Sequence, residues 1–205
     1  MSGADALSSL LSLGIDVIST AEAAALLRTS TDSANKVLRR LGESGLVAPI
    51  TRGLWSVRGA VVDPLLLPEH LTAPLPAYIS LQTALHLHGM IEQIPSRVFA
   101  VSLGRSRTLR THFGTFSIHR VAPEMFGGFV EMASGAKVAT PEKALLDVLY
   151  LSATRARIFS ALPELELPRG FDRQAASAWV AKIRSPALAT MVDEKWRALV
   201  GSRRR

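Results

Sequence analysis

The alternation of apolar and polar positions changes period repeatedly along the first sixty residues. Ala21, Ala23, Ala24, Ala25, Leu26 and Leu27 form a short, strongly helix-favouring run that predicts a mostly buried helix. Ser19 precedes it with Glu22 three residues on, the pairing in which hydroxyl and carboxylate each take a free backbone N–H. Arg28 to Ser30 interrupt the pattern, and Thr31 is the expected cap of a second helix. There Ala34, Val37, Leu38 and Leu41 fall at i, i+3, i+4 and i+7, one apolar stripe. At about 100° per residue the opposite flank carries Asp32, Lys36, Arg39 and Glu43, bordered by Asn35 and Arg40. Gly45 is the expected left-handed residue beyond the helix end. Leu46 to Ile50 and Leu54 to Val57 then predict two short strands about the turn Thr51-Arg52-Gly53, with Pro49 requiring an edge position.

Two helices and a hairpin in this order are the sequence form of a winged helix-turn-helix, a module that lays its second helix in the major groove of DNA. On that reading the DNA-contacting residues are Thr31, Ser33, Asn35, Lys36, Arg39, Arg40 and the wing residue Arg52. Arg and Lys neutralise phosphates or bond guanine edges, and Asn pairs with adenine. A charged helix flank alone is ordinary solvated surface; the order of elements is what points to DNA. Winged helices also serve protein contacts, and that alternative stays open.

Four prolines between Val61 and Pro76 suppress periodicity and mark a connector. Beyond it the pattern predicts a helix capped by Ser80 with Leu81, Ala84, Leu85 and His88 on one face, ended by Gly89. Strands follow at Arg97 to Leu103 and Thr115 to Val121, the latter with clear alternation, and a basic loop or hairpin joins them. Phe129 to Met132 and Lys137 to Ala139 are short strand candidates. Thr140-Pro141-Glu142 opens a helix with a cap, a proline in the first position and a first-turn acid, and Leu145, Leu146 and Leu149 form its buried stripe. Further helices are expected at 172–183 and 186–200, anchored by Trp179, Ile183, Leu188, Val192 and Leu199. The fold class is α+β: a winged helix over 1–60, a connector over 61–76, and a mixed α/β C-terminal domain over 77–205.

Charge sharpens this division. The 205 residues carry a net +7, and Cys is absent, which excludes disulfides and thiolate metal sites and fits a reducing, cytoplasmic setting. No basic leader or long apolar run predicts a membrane segment. Residues 28–58 hold six basic residues against two acidic ones. Residues 105–120 hold Arg105, Arg107, Arg110 and Arg120 with no acid, and Arg105, Arg107 and Arg110 join the expected DNA-binding set. The closing Arg203-Arg204-Arg205 reads equally as a phosphate contact or as compositional bias.

The blocks RGLWSV, YISLQTALHLHGMIEQIP, FSIHRV and VATPEKALLDVLYL resemble the AbiEi family of bacterial antitoxins and transcriptional regulators, over about residues 5 to 150. The resemblance implies an antitoxin that counteracts an AbiEii-type nucleotidyltransferase toxin. It also implies repression of its own operon through the winged helix on promoter inverted repeats, with two or more copies on DNA and the C-terminal domain opposing the toxin. Ser80, His88, Gly89, Glu142, Lys143 and Asp147 match the family blocks and read as architectural.

Catalysis needs a constellation, and the residues provide none. His86 and His88 stand two apart, so on a helix they diverge and make a poor metal pair. Glu142 and Asp147 are too little for an acid/base pair, and Ser102 to Ser106 is a basic loop that needs no phosphate to explain it. Neither a catalytic residue nor a metal or cofactor is expected. Three readings remain: an autoregulating DNA-binding antitoxin, an interaction module or general regulator without antitoxin activity, and an enzyme whose site lies hidden in the second domain.

Overall fold

The computed structural model describes residues 3–59, 61–154 and 164–201, so the terminal arginines lie outside the described residues. The chain is α+β, with helices packed on two sheets. The first helix, α1 (Gly3–Leu11), is followed by β1 (Val17–Ser19), α2 (Thr20–Leu26), α3 (Thr31–Glu43), β2 (Ala48–Thr51) and β3 (Leu54–Ser56). The three strands form an antiparallel sheet in the order β1-β3-β2, which leaves Pro49 on an edge strand where its missing N–H costs no ladder bond.

Around the small sheet the expected caps are present with one correction. Ser19 and Glu22 make the reciprocal capping box, at 3.1 and 2.7 Å. The second cap is Ser30, not Thr31: Ser30 Oγ accepts from the Ser33 N–H at 3.2 Å, and Thr31 is already helical. The two hydroxyls are adjacent, so only the backbone entering the helix decides between them. Gly45, at φ +70°, closes α3 with its N–H on Gly42 O and the Leu46 N–H on Leu41 O, the paired bonds of a Schellman motif. In α2 burial is confined to one side, at Ala23 and Ala24 with Leu27 just beyond, while Ala21 and Ala25 are exposed.

The proline-rich stretch is structured. A 3₁₀ turn (Pro64–Leu66) leads into α4 (Leu67–Thr72), whose Leu67 and Leu71 are buried. Beyond it come β4 (Ala77–Ile79), α5 (Leu81–Leu87), β5 (Val98–Ser102), β6 (Arg107–Thr111), β7 (Gly114–Arg120), β8 (Phe129–Glu131), β9 (Lys137–Ala139), α6 (Pro141–Ala153), α7 (Arg173–Val180) and α8 (Pro186–Gly201). The six strands β4 to β9 build one mixed sheet in the order β6-β7-β5-β4-β9-β8. The basic segment is therefore a hairpin, β6 antiparallel to β7.

Three apolar clusters organise the layers. α1, α2 and α3 pack on one face of the small sheet through Leu10, Ala23, Leu38, Leu41, Ile18 and Trp55. The other face, with Val17, Ile50 and Leu54, packs against Ala100, Phe116, Ile118 and Leu109 of the large sheet together with Leu67 and Leu71 of α4. The far side of the large sheet is covered by α5 to α8. The order is helices, sheet, sheet, helices.

This layering corrects the alternation read for β7. Phe116, Ser117, Ile118 and His119 are all buried, because both faces of the strand are covered and polar residues can remain there only with partners. α6 departs in the same way from a one-sided stripe: Lys143 to Ser152 are continuously buried between α5, α7, α8 and the sheet.

Candidate nucleic-acid interface

The flank of α3 opposite its buried Ala34, Leu38 and Leu41 faces solvent. Thr31, Asp32, Lys36, Arg39, Arg40 and Glu43 are exposed, and Asn35 and Ser33 are half-buried. Ser33 Oγ lies 3.0 Å from Ser30 Oγ, so this hydroxyl belongs to the helix entry. Lys36, Val37, Arg39, Arg40 and Glu43 line a shallow concavity of about 420 Å³. Among the described residues the ion pairs involve other side chains, leaving Lys36, Arg39, Arg40 and Arg52 without a carboxylate partner. Unpaired cations on one helix flank are available to phosphates.

The hairpin of β2 and β3 is anchored by Trp55. Its indole Nε1 donates to Thr20 Oγ1 at 3.1 Å, while the Thr20 N–H donates to Gly53 O at 2.9 Å, so the hairpin is tied to the start of α2. Arg52, at the turn, is exposed. Arg58 differs from the other cations of this region, because Asp16 holds its Nε at 2.5 Å. Arg28 sits in the turn between α2 and α3 at φ +49°.

The second basic cluster divides. Arg105, Arg107 and Arg110 are all exposed, but the Arg107 guanidinium also donates to the Leu71 carbonyl and ties β6 to α4. Leu109 and Phe113 of this hairpin share the inter-sheet cluster with Ile50 and Leu54, so the two basic hairpins belong to elements packed on each other. Ser102 Oγ donates to Pro76 O at 2.8 Å and accepts from the Gly104 N–H at 3.1 Å, which occupies the segment weighed as a phosphate loop with its own bonds.

Residues read as architectural find architectural partners. His88 Nε2 lies 2.7 Å from Ala139 O, and His86 Nδ1 lies 3.4 Å from Ile91 O, so both rings face backbone carbonyls. Glu142 accepts from the Asp172 N–H at 3.0 Å. Thr140 caps α6, accepting from the Lys143 N–H. Ser80 occupies a cap position without capping; its Oγ instead donates to Asp147 Oδ2 at 2.7 Å. Asp147 also receives Lys143 Nζ and, at 3.0 Å, the Tyr78 hydroxyl. The sequence marked Ser80, Lys143 and Asp147 as architectural, but not Tyr78 nor their closure into one buried polar centre; the i, i+4 spacing of Lys143 and Asp147 was the local signal. Burial holds the Lys143 ammonium below its usual range against the pull of Asp147, and burial followed by the Asp147 charge pushes the Tyr78 phenol up.

Among the described residues no group of three or more His, Asp or Glu side chains is placed to hold a metal ion, and no helix is long and apolar enough to cross a membrane. No protein-family model matches the chain, and no curated protein matches it significantly.

Proposed function

We propose that the chain is a DNA-binding antitoxin that counteracts a nucleotidyltransferase toxin and represses its own operon. Residues 1–60 form a winged helix-turn-helix, 61–76 a packed connector, and 77–205 the antitoxin domain. The observation that carries the DNA reading is the exposed cationic flank of α3, with its apolar stripe buried and a hairpin bearing Arg52 beside it. In this reading α3 enters the major groove, Lys36, Arg39 and Arg40 supply phosphate and guanine contacts, Asn35 a base contact, and the hairpin touches the flanking backbone. Arg105 and Arg110 extend the basic surface, and Arg107 holds β6 in place. Occupying a promoter represses transcription without a cofactor.

The antitoxin part rests on the resemblance of the motif blocks to AbiEi proteins. The test is fluorescence anisotropy with duplex DNA from immediately upstream of the reading frame. Arg39→Ala/Arg40→Ala should weaken binding at least tenfold and reduce the salt slope by about 1.8 per bound chain, at about 0.9 per lost phosphate contact. Equal affinity and slope for parent and variant, with unchanged melting, would refute the assignment. Co-expression with the toxin from the neighbouring reading frame tests neutralisation separately, through restored growth.

A further inference from the structure

The helices α2, α3 and α5 end on the same pair of backbone bonds. Past α3 the Gly45 N–H meets Gly42 O and the Leu46 N–H meets Leu41 O; past α5 the Gly89 N–H meets His86 O and the Met90 N–H meets Leu85 O. Past α2 the Arg28 N–H meets Ala25 O at 3.2 Å and the Thr29 N–H meets Ala24 O at 3.0 Å. This closure requires a left-handed residue, and glycine adopts that conformation at no steric cost. Gly45 and Gly89 fill the position at φ +70° and +66°, but after α2 it is Arg28, at φ +49°.

Among the described residues nothing offsets that strain. Leu81, also left-handed without being glycine, is fully buried, so core packing holds it. Arg28 is exposed, and its guanidinium has no carboxylate, hydrogen-bond or aromatic partner among the described residues. The dipole of α2 favours a cation at its C-terminus, but that helix has seven residues and water and salt screen its exposed end. Strain kept without internal compensation points to a side chain used on something outside the molecule. Arg28 stands three residues before Thr31, the first residue of α3, whose outer flank carries the exposed Lys36, Arg39 and Arg40. A recognition helix puts its N-terminal residues on base edges while the helix before it crosses the backbone, so the turn between them lies at the groove edge.

We propose that Arg28 is a DNA-backbone contact, its guanidinium bonding a phosphate at the edge of the groove that α3 enters. This contact rests on the DNA reading of α3, and as a phosphate contact it carries no sequence information.

Fluorescence anisotropy and thermal melts of the full chain separate charge from backbone through two variants, each titrated with the upstream duplex and with an unrelated duplex of equal length. Arg28→Gly relieves the strained turn and removes the cation. It should raise the melting temperature by about 1–3 °C, weaken binding about threefold to tenfold on both duplexes, and lower the salt slope by about 0.9. Arg28→Gln removes the cation and keeps the strain, so it should lose the same affinity and slope without the gain in melting temperature. Unchanged affinity and slope in both variants, with a parent that binds, would leave the DNA reading standing and overturn the role of Arg28. An Arg28→Gly chain that melts below the parent would overturn it too, by making the arginine a helix-end residue, as would a loss confined to the upstream duplex, which marks a base contact. A parent that binds neither duplex overturns the DNA reading and this contact with it.

Discussion

Replacing Lys143 with Met strands a carboxylate in the core. Lys143 and Asp147 are both fully shielded, and Lys143 Nζ bridges Asp147 and the Tyr78 hydroxyl, 2.8 Å away, while lying 4.7 Å from the Trp179 ring centre. Met preserves most of the volume and removes the charge. Losing one member of a buried pair costs about 3–5 kcal/mol, a large part of the roughly 5–15 kcal/mol that holds a domain together. Removing both charges with Lys143→Met/Asp147→Leu leaves the Tyr78 and Ser80 hydroxyls without their acceptor, at about 1–3 kcal/mol each. Adding Tyr78→Phe and Ser80→Ala removes those orphans, so the quadruple variant should be more stable than Lys143→Met alone. Urea unfolding followed by tryptophan fluorescence measures the series, with Trp179 as a local reporter. A Lys143→Met unfolding free energy within about 1 kcal/mol of the parent would refute the reasoning, as would a quadruple variant less stable than the single one.

Acid provides a second test. His119 is lowered from 6.5 to about 4, so the unfolded chain binds more protons between those values. Its stabilising contribution is complete above pH 6.5 and lost as pH falls toward 4, by at most about 3 kcal/mol. His119→Gln should flatten that slope in pH-resolved unfolding, leaving a remainder from His70, which burial also lowers; an unchanged slope contradicts this. Ser30→Ala should cost about 1 kcal/mol and Thr31→Ala no more than about 0.5, and thermal melts showing the reverse order would return the α3 cap to Thr31. At Gly128 a Cβ would stand 2.6 Å from the Trp179 ring and 3.0 Å from Lys143 Cγ at φ +69°, so Gly128→Ala should lower the melting temperature by several degrees, whereas Gly53→Ala, at φ +79°, meets open space and carries only the backbone strain. Equal melting of the two glycine variants would contradict the close packing.

What the chain spells locally is legible without coordinates. The i, i+3, i+4 spacing that buries Ala34, Leu38 and Leu41 necessarily turns Lys36, Arg39 and Arg40 outward, so the candidate interface follows from periodicity alone. Caps at Ser19 and Thr140, the stop at Gly45 and the strand over Lys137–Ala139 are equally local. Two strands were not legible: β1 and β4 have three residues each and exist through ladders to β3 and to β5 and β9. α1 has only Ala6 and Leu10 buried, a pattern too brief to stand out.

Tertiary structure alone decided which polar groups went inside. Lys143 and Asp147 read as architectural from the sequence, but their full burial came only with α7 and β4 closing over them with Trp179 and the Tyr78 and Ser80 hydroxyls. It also decided that both faces of the N-terminal sheet are covered, since Ile50 and Leu54 find their partners more than forty residues away in Ala100, Phe116 and Ile118. Period reports a side chain's direction relative to its own backbone; what waits in that direction depends on contacts distant in sequence.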